Sequence, residues 1–154
     1  MKLSLAQLNP IIGDLKGNSK KIISASTKAA EQNTDILITP ELSLLGYPPR
    51  DLLFNSLFLQ SQWKFLDEIA DHIDRNAPQL SILIGIAEPA PDSQVPRLFN
   101  SIALIKGNSW KIIARKQLLP TYDVFDEARY FSPSTGIKPV EVIVSGNSIL
   151  LGVQ

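Results

Sequence analysis

Three ionisable residues stand where side chains could do chemistry. Glu41 directly follows the run Ile36-Leu37-Ile38-Thr39-Pro40, which puts a carboxylate at the carboxyl end of a buried strand, the edge where α/β folds assemble their sites. Lys116 takes the equivalent place after Ile112-Ile113-Ala114-Arg115. Glu127 lies between Phe125 and Tyr130-Phe131, aromatic company in which burial penalises a carboxylate's charged form. Such carboxylates can move protons, and an ammonium can steady negative charge. Taken one at a time, each residue reads at least as well as a solvated charge at a strand end, and periodicity does not separate the two readings.

Other familiar chemistries find no support. The sequence has no G-x-G-x-x-G, no phosphate loop, no H-E-x-x-H and no G-x-S-x-G elbow. The only histidine, His72, falls on the polar side of a helix in Asp67-Glu68-Ile69-Ala70-Asp71-His72 and reads as a solvated surface residue. A metal site or a histidine triad would need ligands and partners that the sequence does not show. Zero cysteines exclude a disulfide scaffold, a thiolate zinc site and a cysteine nucleophile within these 154 residues. Fifteen basic and fifteen acidic groups cancel, which leaves no electrostatic footprint for nucleic acid or an anionic membrane surface. No apolar run reaches the ~18–20 residues of a membrane span, and Asn9-Pro10 interrupts the N-terminal run too early for a secretory signal. A cytoplasmic chain is expected.

The elements that must position these residues follow from pattern. Leu3 to Leu8 alternates and predicts a short strand ended by Asn9-Pro10. Asn18 is the expected N-cap of a helix broken at Gln32-Asn33-Thr34, and Ile36 to Ile38 predicts a strand buried on both faces. This is a βαβ-like opening. Gly46 and Pro48-Pro49 make residues 41 to 50 a loop, and residues 51 to 75 predict a short helix followed by a longer one. Ser81 to Ala87 predicts another buried strand, Glu88 to Pro96 a proline-rich loop, and Phe99 to Lys106 with Trp110 to Arg115 a hairpin around Gly107-Asn108. An irregular segment runs from Lys116 to Gly136, and Val140 to Val144 with Ile149 to Val153 forms a second hairpin around Gly146-Asn147. An apolar strand at the very end leaves an edge unpaired, so a domain continuing past Gln154 is expected.

The local words around the three charges bear a resemblance. Pro40-Glu41-Leu-Ser-Leu-Leu-Gly46-Tyr47-Pro48-Pro49-Arg-Asp51-Leu52-Leu53, then Arg115-Lys116-Gln-Leu-Leu119-Pro120, then Tyr122-Asp-Val-Phe125-Asp126-Glu127-Ala-Arg129-Tyr130-Phe131 resemble, in order and spacing, the nitrilase or carbon-nitrogen hydrolase superfamily. Gln7-Leu8-Asn9-Pro10 and Phe99-Asn100-Ser101-Ile102-Ala103 fit the same pattern. Within the superfamily the likeness is greatest to the N-terminal glutaminase domains of glutamine-dependent NAD synthetases. Asp123, Thr121 and Ser134-Thr135 depart from it, where glycine, asparagine and a Pro-Gly turn are usual.

The resemblance implies an α/β nitrilase-type αββα sandwich, of which residues 1–154 form the N-terminal half. It implies a Glu-Lys-Cys mechanism with Glu41 as general base, Lys116 stabilising the oxyanion and Glu127 holding the lysine, while Tyr47, Tyr122 and Phe125 line a glutamine pocket. The cysteine normally follows on the next strand, and Leu151-Gly152-Val153-Gln154 looks like the start of its word. No cofactor or metal is implied for this domain. ATP and Mg belong to a downstream synthetase domain, the expected partner, within a homo-oligomer. The chain alone is then expected to be inactive and, with sheet faces uncovered, poorly soluble. Two alternatives stand beside this: a free-standing amidase acting on another small amide, and a cysteine-free, non-catalytic interaction module.

Overall fold

The structure is a computed structural model that describes residues 1–91, 98–135, 138–144 and 146–152. The chain opens with strand β1 (Leu3–Leu5), helix α1 (Leu15–Glu31) and strand β2 (Ile36–Ile38). After a 3₁₀ turn at Arg50–Phe54 come helix α2 (Ser56–Asn76) and strands β3 (Ser81–Pro89), β4 (Leu98–Lys106) and β5 (Ser109–Arg115). A short 3₁₀ turn at Glu127–Arg129 precedes the hairpin β6 (Val140–Val144) and β7 (Asn147–Leu151).

Five strands form one sheet in the order β1-β2-β3-β4-β5, and β6 pairs with β7 separately. β1, β2 and β3 are mutually parallel, whereas β4 is antiparallel to both β3 and β5. β5 therefore runs in the direction of β2, so the residues following both strands emerge at the same edge of the sheet. That relation brings Glu41 and Lys116 together across 75 residues of sequence.

The period-two alternation of strands sorts the core into two layers. Leu37, Ile82, Ile84, Ile86, Ala103 and Ile105 face the helices, joining Ile22 of α1 and Leu66, Ile69 and Ile73 of α2. Ile36, Leu104 and Ile113 point to the opposite face, where Val142 and Val144 of the second hairpin cover them. α1 packs because its buried residues Leu15, Asn18, Ser19, Ile22, Ser26 and Ala29 recur at helical spacing along one stripe. α2 is anchored to the sheet by Gln62, fully buried, whose Nε2 donates to the Ala87 carbonyl at 2.6 Å, and by the stacking of Trp63 on Trp110.

Four boundaries differ from expectation. β1 ends at Leu5, and Ala6-Gln7-Leu8, the second half of the alternating run, leaves the ladder after a single bond from the Ala6 N–H to the Ile38 carbonyl. α1 begins at Leu15 and is capped by Asp14, which accepts from the Gly17 N–H at 2.8 Å. The expected cap, Asn18, lies inside the helix and is 1% exposed, because its carboxamide serves the Ile11 N–H and the carbonyls of Ile11 and Leu44. β3 continues through Glu88 and Pro89, held by antiparallel pairing with Phe99 and Leu98. Residues 92–97 of the expected loop lie outside the described residues. Asn147, expected in a turn, is the first residue of β7 and pairs with Val144; Val153 of the same expected strand is outside the described residues. Among the described residues no helix is long and apolar enough to cross a membrane.

Candidate active site

The turn that carries Glu41 is fixed to the neighbouring strand. Leaving β2, Thr39 donates through its hydroxyl to the Leu83 carbonyl at 2.9 Å, and its N–H bonds the same carbonyl. Residues 40–46 then close on themselves through Ser43 N–H to Pro40 O and Gly46 N–H to Leu42 O. Leu42 adopts a left-handed backbone with φ of 46°, a strained state for a branched residue that its complete burial maintains. Gly85 of β3 makes room for this turn. A Cβ at Gly85 would lie 2.3 Å from the Leu42 nitrogen and 2.9 Å from the Glu41 carbonyl carbon. Strand-interior glycine is a sign of close backbone approach, and here the approaching backbone is that of Glu41 itself.

Lys116 follows β5, its N–H donating to the Asn100 carbonyl of β4 at 2.8 Å. Its ammonium reaches two carboxylates from separate parts of the chain. Nζ lies 2.8 Å from Glu41 Oε1 and 3.0 and 2.9 Å from the two oxygens of Glu127. Glu127 is 5% exposed, and the ammonium is what makes a carboxylate tolerable at that depth. Its Oε2 is buried with that ionic contact but without a well-oriented hydrogen bond. Burial acts to pull the Lys116 ammonium down, but hydrogen bonds and charge from Glu41 and Glu127 outweigh it and hold the lysine above its ordinary value. The cluster is therefore a cation shared by two anions, with one negative charge in excess. Among the described residues no three carboxylates or histidines converge as a metal ion requires.

Tyr47 adds a neutral donor, its hydroxyl giving a 2.8 Å hydrogen bond to Glu127 Oε1. Burial, then the hydrogen bond to Glu127 and the charges of Glu127 and Glu41, push the phenol well above its usual range, so it stays protonated. Two clefts flank the cluster. One, of about 390 Å³, is lined by Tyr47, Pro49, Phe125, Glu127, Arg129 and Tyr130. The other, of about 290 Å³, is lined by Thr39, Glu41, Gly85, Asn100, Ala114 and Lys116. A larger hollow of about 560 Å³ beside β1 and α1 contains none of these residues, so size alone does not single out the site.

Of the six residues singled out in the sequence, Glu41, Lys116, Glu127 and Tyr47 are joined in one hydrogen-bonded cluster and Phe125 lines the cleft beside them. Tyr122 does not join them: it is 69% exposed and touches Phe125 edge-on. Asp123 has φ of 55°, the left-handed conformation that glycine adopts without cost, which explains why glycine suits that place. Two supporting elements are missed by sequence reasoning. Asn100, 6% exposed, donates to Glu41 Oε1 at 2.5 Å. Arg115, the residue before Lys116, makes a forked pair with Glu88, which also accepts from the Ser101 hydroxyl, and lies over the Phe99 ring. A polar residue inside the apolar β4 run is the signal that could have found Asn100, as the glycine inside β3 is for the close approach of the Glu41 turn.

A sequence profile described as carbon-nitrogen hydrolase matches residues 2–153. The glutamine-dependent NAD(+) synthetase of Synechocystis sp. is 42% identical over 133 residues, 84% of this chain and 23% of that protein. The enzyme of the same name from Thermotoga maritima is 39% identical over 142 residues, 92% of this chain and 23% of that one. Among solved structures, a glutamine-dependent NAD+ synthetase from Acinetobacter baumannii in complex with ADP superposes with a TM-score of 0.76 at 30% identity, covering 96% of this chain and 26% of its own. An amidase from Nesterenkonia sp. shares the fold with a TM-score of 0.74 at 21% identity, covering 97% of this chain and 54% of its own. The chain thus spans under a quarter of the length of these curated relatives.

Proposed function

The chain belongs to the carbon-nitrogen hydrolase family, and from that premise we propose that it supplies the Glu-Lys part of a glutamine-hydrolysing site in a glutamine-dependent NAD synthetase. The observation that carries this reading is the single ammonium of Lys116 held between Glu41 and Glu127 at the carboxyl edge of the sheet. Relatives 42% and 39% identical bear the synthetase name, which favours this reading over a free-standing amidase. The interaction-module alternative offers no reason for converging charges at that edge.

A carboxamide is a poor electrophile, so its hydrolysis is divided into acyl transfer to a thiol and deacylation by water. Glu41 takes the thiol proton and returns it to the departing ammonia. Its side chain is 43% exposed, as a base that must meet incoming groups needs to be. Lys116 faces the developing oxyanion, its ammonium already oriented by the two carboxylates. Glu127 keeps the lysine in place from below, and Tyr47 fixes Glu127. On this reading Tyr47 and Phe125 line the cleft that receives glutamine, with Tyr122 in edge contact with Phe125 beside it.

The 154 residues hold no cysteine and span under a quarter of the length of the curated relatives, so on this reading the thiol lies outside them. The ammonia then passes to a C-terminal synthetase domain that uses ATP and Mg to amidate nicotinic acid adenine dinucleotide, in a cytoplasmic homo-oligomer. The test is the whole reading frame that contains these residues. It is expected to encode a cysteine shortly after Gln154 and an S-G-G-x-D-S word downstream; a frame with neither overturns the reading.

A further inference from the structure

Glu41 is held from two sides, and the same oxygen takes both contacts. Asn100 Nδ2 donates to Oε1 at 2.5 Å, and Lys116 Nζ donates to Oε1 at 2.8 Å. Among the described residues, Oε2 of Glu41 receives no hydrogen bond. The carboxamide must present its NH₂ group to Glu41, since an ionised carboxylate only accepts. Asn100 also holds Lys116 by its main chain, because the Asn100 carbonyl accepts the Lys116 N–H at 2.8 Å. One residue of β4, 6% exposed, therefore fixes the carboxylate through its side chain and the lysine through its backbone.

We propose, on the reading of the site given above, that Asn100 is a positioning residue for Glu41: with Lys116 it occupies Oε1, so that Oε2 is the oxygen that accepts the thiol proton. In that step the S–H bond breaks, the Oε2–H bond forms, and the sulfur electron pair attacks the amide carbon. The proton later leaves Oε2 for the departing nitrogen. A neutral amide suits the task. A fourth charged group would alter the balance among Glu41, Lys116 and Glu127, whereas a carboxamide restricts the carboxylate's rotation without adding charge. The side chain lies in the wall of the cleft that Glu41 and Lys116 share, so it needs no movement to act.

The test combines kinetics with a readout independent of activity. In the polypeptide encoded by the whole reading frame, Asn100→Leu is expected to lower kcat for glutamine about 100-fold, the cost of misplacing a reacting group by ~1 Å, with KM within about twofold. Asn100→Asp, which keeps the shape of the side chain, is expected to lose as much through like-charge repulsion. Unchanged kcat in either folded variant, or a loss confined to KM, overturns the proposal. In the same full-frame polypeptide, with its asparagines labelled with nitrogen-15, the Asn100 side-chain amide protons are expected downfield in the NMR spectrum and to move upfield in Glu41→Ala. An amide that ignores Glu41→Ala overturns the pairing. Should the wild-type polypeptide release no ammonia at all, the reading of the site fails, and the amide signal decides the pairing by itself.

Discussion

Gly85→Ala should strike the site through its backbone support and leave every charged residue in place. The added Cβ would lie 2.3 Å from the Leu42 nitrogen, 2.9 Å from the Glu41 carbonyl carbon and 2.9 Å from the Pro40 oxygen. Relief to ordinary van der Waals separation takes a movement of roughly 1 Å. All three neighbours are main-chain atoms, so no side chain can swing away instead. The turn cannot yield freely either, since Leu42, Leu44 and Leu45 are completely buried. Overpacking of this kind costs about 1–3 kcal/mol, which lowers the melting temperature of a domain this size by roughly 3–10 °C. The same displacement carries Glu41 away from Lys116 and Asn100, and glutamine turnover by the full-frame polypeptide should fall about 100-fold. Thermal unfolding and ammonia release measure the two effects separately. A variant with unchanged stability and unchanged turnover would refute the claim that β3 positions the Glu41 turn.

Other substitutions probe the charges and their supports. Tyr47→Phe removes the donor to buried Glu127 and should cost about 1.5–3 kcal/mol in urea denaturation, the range for hydrogen bonds to charged groups; a neutral effect would mean the hydroxyl is dispensable. Both Tyr47 and Lys116 bind their protons more tightly when folded, so the stability they give is complete below their unfolded values near pH 10 and lost as pH rises beyond. Denaturation midpoints should accordingly hold steady from pH 7 to about pH 10 and fall above it, with a shallower fall in Tyr47→Phe; identical slopes would contradict the assignment. Arg115→Lys keeps the charge but loses the fork to Glu88 and the contact over Phe99, and should destabilise by about 1–2 kcal/mol in the same denaturation assay. Asp14→Ala should cost about 1 kcal/mol as the loss of an N-cap; a chain indifferent to that change would return the capping role to another residue.

Much of the scaffold is legible because its signals are local. Ile36 to Ile38, Ser81 to Ala87 and the Gly107-Asn108 hairpin announce themselves by apolar runs between turn residues, and the structure contains each. The edge position of Glu41 and Lys116 follows from the strands that precede them. What cannot be read depends on contacts distant in sequence. Asn18 looks like a cap because asparagine favours that place, but the Leu44 carbonyl, 26 residues away, claims its amide. Asn100 and Glu41 are 59 residues apart, and nothing along β4 says which carboxylate its amide will meet. Tyr122 and Phe125 share one local word, yet only Phe125 turns to the cleft, since the direction of a side chain in an irregular segment has no period to follow.

The cluster also explains why residue type matters at each place. Glu127 is buried and needs a cation; Lys116 supplies it while remaining 29% exposed at the side chain. Removing the lysine would leave a buried carboxylate uncompensated, a change far costlier than loss of a surface pair. The arrangement therefore ties the stability of the sheet edge to the geometry of the proposed amide-hydrolysing site.

The most direct test of that account is ammonia release from glutamine by the polypeptide encoded by the whole reading frame, compared with its Glu41→Gln variant and with the 154-residue chain. The account predicts turnover by the first, a loss of at least about 100-fold in the second, and none from the third. Undiminished turnover in Glu41→Gln, or ammonia released by the 154 residues alone, would contradict it.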